Sequence, residues 1–168
     1  MGATSPDRAP GLQLHAAITP DQLATARTLF LEYAASLKHD LCFQGFDSEL
    51  SDLPGDYAGP RGSLLLAHWD GQWVGCCALR PLDSSDYANA CEMKRLYVRS
   101  AFRGLGIGRG LAEAILDLAR QADYSCVLLD TLDDMESARA MYVDLGFEEI
   151  APYYHNPIAG AHYLRVEL

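Results

Sequence analysis

Arg103-Gly104-Leu105-Gly106-Ile107-Gly108 joins a strand-like run, Cys91 to Val98, to an amphipathic helix predicted from about Arg109 to Ala122. Three glycines in five residues leave the backbone bare, so successive N–H groups can turn toward one point without side chains in the way. That point lies at a helix N-terminus, where unpaired donors and the helix dipole favour an anion. Arg103 and Arg109 flank the turn and could add charge to it. The same residues also fit a plain tight strand-to-helix connection. Two familiar phosphate cradles are excluded by inspection. A dinucleotide fingerprint requires glycine at its first, third and sixth positions, and from Gly104 the sixth is Arg109, from Gly106 Leu111. A P-loop ends in Gly-Lys-Ser/Thr, and none follows. The spacing Arg-x-x-Gly-x-Gly remains.

Outward from this turn the chain reads as one domain. Its 168 residues suffice for a sizeable core. Leu12 to Ile18 alternates as a strand, and Thr19-Pro20 is a capped helix start whose apolar spacing continues to about His39. Phe46 to Leu53 fits a second short helix. Ser63–Trp69 and Trp73–Arg80 flank Asp70-Gly71, a strong hairpin signal. The central strand is Ala90–Val98. Cys126–Asp130 reads as a buried strand, and Thr131 to Asp134 as a capping start for a helix carrying Met135, Ala138, Met141, Tyr142 and Leu145 inward. Phe147–Ala151 and Ala161–Leu168 are the last strands. The order β-α-α-β-β-β-α-β-α-β-β predicts a mixed α/β fold around one twisted sheet. Residues 1–10, polar and broken by two prolines, read as a disordered tail ahead of a single domain at 11–168.

Composition narrows the function classes. A net charge of −10 argues against nucleic-acid binding, which wants a basic footprint. It is compatible with a cationic substrate such as an amine but does not select one. No apolar run approaches a membrane span, and the N-terminus has no signal-like apolar region. Five cysteines without a Cys-x-x-Cys pair suggest core residues in a reducing cytoplasm. His39, His68 and His162 lack metal-ligand spacing, so no metal site is expected.

With both motifs in hand, the sequence resembles the GNAT superfamily of acyl-CoA-dependent N-acetyltransferases over roughly residues 11 to 168. The resemblance is carried by the strand Glu92–Val98, the Arg103–Gly108 turn and Tyr142-Val143-Asp144-Leu145-Gly146-Phe147, in that order. It implies one central twisted, mostly antiparallel sheet with a splayed strand pair and flanking helices. It further implies acetyl-CoA as co-substrate, its pyrophosphate on Arg103, Gly104, Leu105, Gly106, Ile107, Gly108 and Arg109. Its pantetheine arm would lie along Leu96, Tyr97 and Val98. Many relatives carry Asn five residues before the tyrosine; Ser137 stands there and is the weaker equivalent contact. The expected function is acetyl transfer to the primary amine of a small molecule. Alternatives are a noncatalytic acyl-CoA-binding or regulatory domain, or acetylation of protein lysines or N-termini. Relatives are often dimers, so a homodimer is also implied.

Candidate chemistry follows from the reaction's demands. A lysine-like amine of pKa ~10.4 is charged at neutral pH, and freeing its lone pair costs about 4 kcal/mol. Glu92, eleven residues before Arg103, is the candidate base, where several relatives hold a catalytic glutamate. Alternation puts it on one face with Lys94, Leu96 and Val98 unless a bulge intervenes. The alternative is an ion pair with Lys94 or Arg95, which would lower its pKa and blunt it. Tyr142 is the candidate partner of the leaving thiolate, chiefly through hydrogen bonding; the alternative is a core tyrosine. Tyr154 and His155, in an aromatic loop between the last strands, are candidate acceptor contacts, with His155 also an alternative base, or else an aromatic turn packed on the sheet.

Overall fold

The computed structural model describes residues 11–37, 41 and 45–168. The expected N-terminal tail, the helix end near His39 and Cys42 lie outside them. Seven strands form one sheet in the order β1-β2-β3-β4-β5-β7-β6. They are β1 (Leu12–Ala16), β2 (Ser63–Trp69), β3 (Gln72–Pro81), β4 (Ala90–Val98), β5 (Cys126–Leu132), β6 (Glu148–Ile150) and β7 (Ala161–Glu167). Every neighbouring pair is antiparallel except β4 and β5.

Helices cover both faces. α1 (Pro20–Ser36) opens on the reciprocal Thr19–Gln22 capping box, with Pro20 in its first turn. With α2 (Phe46–Ser51) it buries Ala26, Leu29, Phe30 and Phe46 against Leu64, Leu66, Cys76 and Ala78. α3 (Ile107–Gln121) and α4 (Glu136–Asp144) cover the other face, where Ile107, Leu111, Ile115 and Tyr142 meet Val74, Leu79, Met93 and Val127. The hairpin at Asp70-Gly71 turns with both residues at positive φ, as the two-residue loop demands.

Several boundaries differ from the sequence reading, and three of them have a local cause. α3 begins at Ile107, two residues early, because Gly106 at φ +81° lets the turn pass directly into the helix. α4 begins at Glu136 with no side-chain cap. Asp133, expected in the capping stretch, instead pairs through its carboxylate with His162. β5 runs on to Leu132, held by β7.

The feature that positions the site is the parallel pair. β4 and β5 register only at Ala90–Cys126, Cys91–Val127 and Glu92–Leu128. Beyond those pairs the strands diverge, so the sheet opens as a V at their C-terminal ends. β4 also carries a one-residue bulge: Cys76 faces Tyr97, but Ala78 faces Lys94. Arg95 absorbs the extra residue at φ +61°. Alternation therefore fails where it was expected to hold. Leu96 and Val98 pack on the α3 face, whereas Glu92 turns to Arg80 and Tyr153.

Candidate active site

The V between β4 and β5 is a narrow slot, a cavity of about 60 Å³. One wall is Met93, Lys94, Arg95 and Leu96 of β4; the other is Leu129, Asp130 and Thr131 of β5. Tyr142, with Ala138, reaches it from α4, and Tyr33 from α1. The slot thus crosses the sheet, with helices of both faces contributing to it.

The glycine turn follows the end of β4 and leads into α3. Gly104 and Gly106 both take positive φ, and a side chain at Gly104 would meet nothing within 4 Å. The first helical hydrogen bond of this turn is Gly110 N–H to the Gly106 carbonyl at 3.0 Å. Among the described residues, the amides of Gly104 to Arg109 find no protein acceptor. Bare amides, open space and a helix start suit an anionic diphosphate. Of the flanking arginines, Arg103 donates from Nε to the Val98 carbonyl at 3.0 Å and is exposed. Arg109 is paired with Asp144 on α4 at 2.9 Å. Ser137 is exposed in the first turn of α4.

Tyr142 is buried, its ring edge-on to Phe147 at 5.5 Å. Burial pushes its phenol well above the ordinary value, and the carboxylate of Asp130 adds to this. It stays protonated and lines the slot. Of the proposed pantetheine contacts, Leu96 lines the slot directly. Tyr97 packs toward α1, its hydroxyl donating to Glu32 at 3.3 Å, while Val98 packs under α3.

The α1–α2 side of the slot is a buried array of charges. Glu92 is 1% exposed and does not line the slot. Its Oε1 accepts from Arg80 Nε at 2.8 Å, and its Oε2 accepts the Tyr153 hydroxyl at 2.6 Å. Lys94 Nζ stands 3.9 Å from Oε1. Burial would raise the Glu92 pKa, but Lys94, Arg80 and the Tyr153 hydrogen bond together hold it below the ordinary carboxylate value. This is the ion-paired arrangement: Lys94 is a partner, as the alternative reading had it, and Arg80 on β3 adds a closer one. Arg95 is fixed by Glu49 of α2, Nε to Oε2 at 2.9 Å and Nη2 to Oε1 at 3.1 Å. Its guanidinium lies over the rings of Phe46 and Tyr33. Tyr57 donates to the same glutamate at 2.9 Å.

Across the slot, Asp130 Oδ2 accepts the Tyr154 hydroxyl at 2.6 Å and the Asn156 amide at 3.4 Å. Tyr154 therefore reaches the site through Asp130, while His155 is exposed and is not a slot residue. Sequence reasoning passed over Asp130. Its signal was a carboxylate closing the apolar run Cys126-Val127-Leu128-Leu129, where a charge needs a reason to be half-buried.

Comparison with known proteins agrees with this geometry. The acetyltransferase (GNAT) family model matches residues 29–147. An uncharacterized N-acetyltransferase of Schizosaccharomyces pombe is 37% identical, covering 94% of this chain and 95% of that protein. N-acetylaspartate synthetase of Rattus norvegicus is 32% identical over 82% of this chain and 46% of its own length. A putative acetyltransferase from Salmonella typhimurium, solved with its cofactor acetyl-CoA, superposes with a TM-score of 0.67 at 15% identity, covering 94% of each chain.

Proposed function

Because this chain belongs to the GNAT family of acetyltransferases, we propose that it transfers the acetyl group of acetyl-CoA to the primary amine of a small molecule. The observation that carries the reading is the opening of the sheet beyond Glu92 and Leu128, with Tyr142 beside it and the bare glycine turn following the same strand, β4. The turn amides and Arg103 hold the diphosphate, and the Leu96–Val98 edge of β4 receives the thiol-bearing arm. Ile107 and Gly108 open the helix beneath it, Leu105 caps the loop, and Ser137 and Arg109 border the mouth.

The bound thioester supplies an electrophilic carbonyl, whose C–S bond breaks as the amine nitrogen forms the new C–N bond. The protein's own groups manage two protons. Asp130 takes the first from the ammonium through Oδ1, to which no described residue donates. The nitrogen sheds the second after attack, and it balances the departing thiolate, which Tyr142 stabilises by donating a hydrogen bond. Glu92, enclosed by Arg80 and Tyr153, acts as a positioning residue that holds this wall in register. Tyr154 orients Asp130, and His155 borders the acceptor entrance.

The names of the N-acetylaspartate synthetases support a small-molecule acceptor. A cytoplasmic location and a homodimer belong to this proposal as well. Its test is release of free thiol from acetyl-CoA with a panel of amines. Amine-dependent release supports the reading. CoA binding without release from any amine would assign the chain to acyl-CoA binding alone.

A further inference from the structure

Three cations sit on the acceptor side of the slot, and two are accounted for. Arg80 is spent on Glu92, and Arg95 on Glu49. Lys94 is different. Its side chain is 4% exposed, and no described residue accepts a hydrogen bond from its ammonium. The nearest carboxylate, Glu92 at 3.9 Å, is already engaged by Arg80 and Tyr153. Lys94 thus has a carboxylate near enough to balance its charge but none that accepts its hydrogen bonds, which leaves it room for a second anion. Asp130 mirrors it on the facing strand. Its bonds come from neutral donors, both to Oδ2. Lys94 and Asp130 both line the slot, yet they form no ion pair with each other.

We propose that the acceptor is an amino acid in its zwitterionic form, its carboxylate bound by Lys94 and its ammonium by Asp130. One ammonium without a hydrogen-bond acceptor and one carboxylate held only by neutral donors, on opposite walls of a single slot, fit a ligand carrying both charges a few atoms apart. An amine without a carboxylate leaves the Lys94 ammonium without that acceptor. A lone acid finds no nucleophile's place at Asp130. The inference rests on the acetyl-transfer reading and narrows its acceptor class. Asp130 keeps one role throughout: it grips the ammonium and then takes its proton.

The test is thiol release with the L-amino acids and their primary amides, which keep the amine and lose the carboxylate. In the wild type, kcat/KM for the acid exceeds that for the matched amide by about 10- to 100-fold, the range of one charge-assisted hydrogen bond. Lys94→Met brings that ratio near unity, chiefly through KM of the acid, and Lys94→Arg restores part of it. The stabilisation by CoA in a thermal melt confirms that each variant is folded. Equal rates for acid and amide in the wild type overturn the inference and leave acetyl transfer standing. So does a Lys94→Met loss equal for both, which would place Lys94 at the reacting carbonyl. If no amine of either kind is acetylated while CoA still stabilises the protein, the acetyl-transfer reading falls and takes this inference with it.

Discussion

At the turn between β4 and α3, the binding elements are backbone amides, exposed from Gly104 to Gly106 and crossed by no side chain. On the α1–α2 side of β4, the binding elements are side chains, and Glu92, Lys94 and Arg95 are all less than a tenth exposed. The turn needs only local chemistry: glycines at positive φ and a helix to follow. The charged wall needs partners from β3, α2 and the loop before β7, brought together by the fold. One half of the site is therefore tolerant and locally encoded, while the other depends on tertiary contacts and is fragile.

Breaking the fragile half should cost most. Arg95→Met leaves Glu49 buried without its cation, and urea denaturation should show a loss of about 3–5 kcal/mol. Replacing Glu49 by Gln in the same chain should recover part of this. A loss under about 1 kcal/mol would mean that the pair is not the tie between α2 and β4.

Next in size is Tyr142→Phe, which removes a donor beside the slot and little packing. Turnover should fall roughly 10- to 100-fold with acetyl-CoA affinity nearly unchanged. Unchanged turnover would return Tyr142 to the core.

The acid limb of stability sharpens the contrast further. Because its folded pKa is depressed, Glu92 contributes stability that is present above its unfolded value and lost as pH falls through the folded one. Glu92→Gln should flatten the stability decline below about pH 4.5 while lowering the plateau at neutral pH. A variant with the wild-type acid limb would show that Glu92 is not the group titrating there. In the pH–rate profile, a positioning Glu92 leaves the shape unchanged, whereas a base would take the acid inflection with it.

The turn should yield the smallest change. Gly104→Ala introduces a Cβ into open space, so only the left-handed backbone resists, at roughly 1–2 kcal/mol. CoA binding should weaken more visibly than the fold.

This contrast explains what was legible in the sequence. The element order, the hairpin at Asp70-Gly71 and the Thr19 cap rest on local signals, and the structure follows them. The glycine turn and the Tyr142-to-Phe147 stretch identified the family because both are contiguous. The β4 bulge was not visible, since nothing local distinguishes Arg95 from its neighbours; Glu49, Phe46 and Tyr33 stabilise its conformation from distant elements. The sequence reading named a bulge only as the exception to alternation, and the bulge moves Leu96 and Val98 off the face of Glu92. Asp130 was passed over, and Lys94 was read only as an ion-pair partner of Glu92, for the same reason: which charge lacks a hydrogen-bonded counter-ion shows itself only once its neighbours are known.

Hydrogen–deuterium exchange with and without acetyl-CoA tests the central claim most directly. The account predicts slowed exchange in two segments, Gly104 to Arg109 and Leu96 to Val98, with the hairpin at Asp70-Gly71 unaffected. Binding without protection at the turn, or protection confined to segments away from the V, would contradict it.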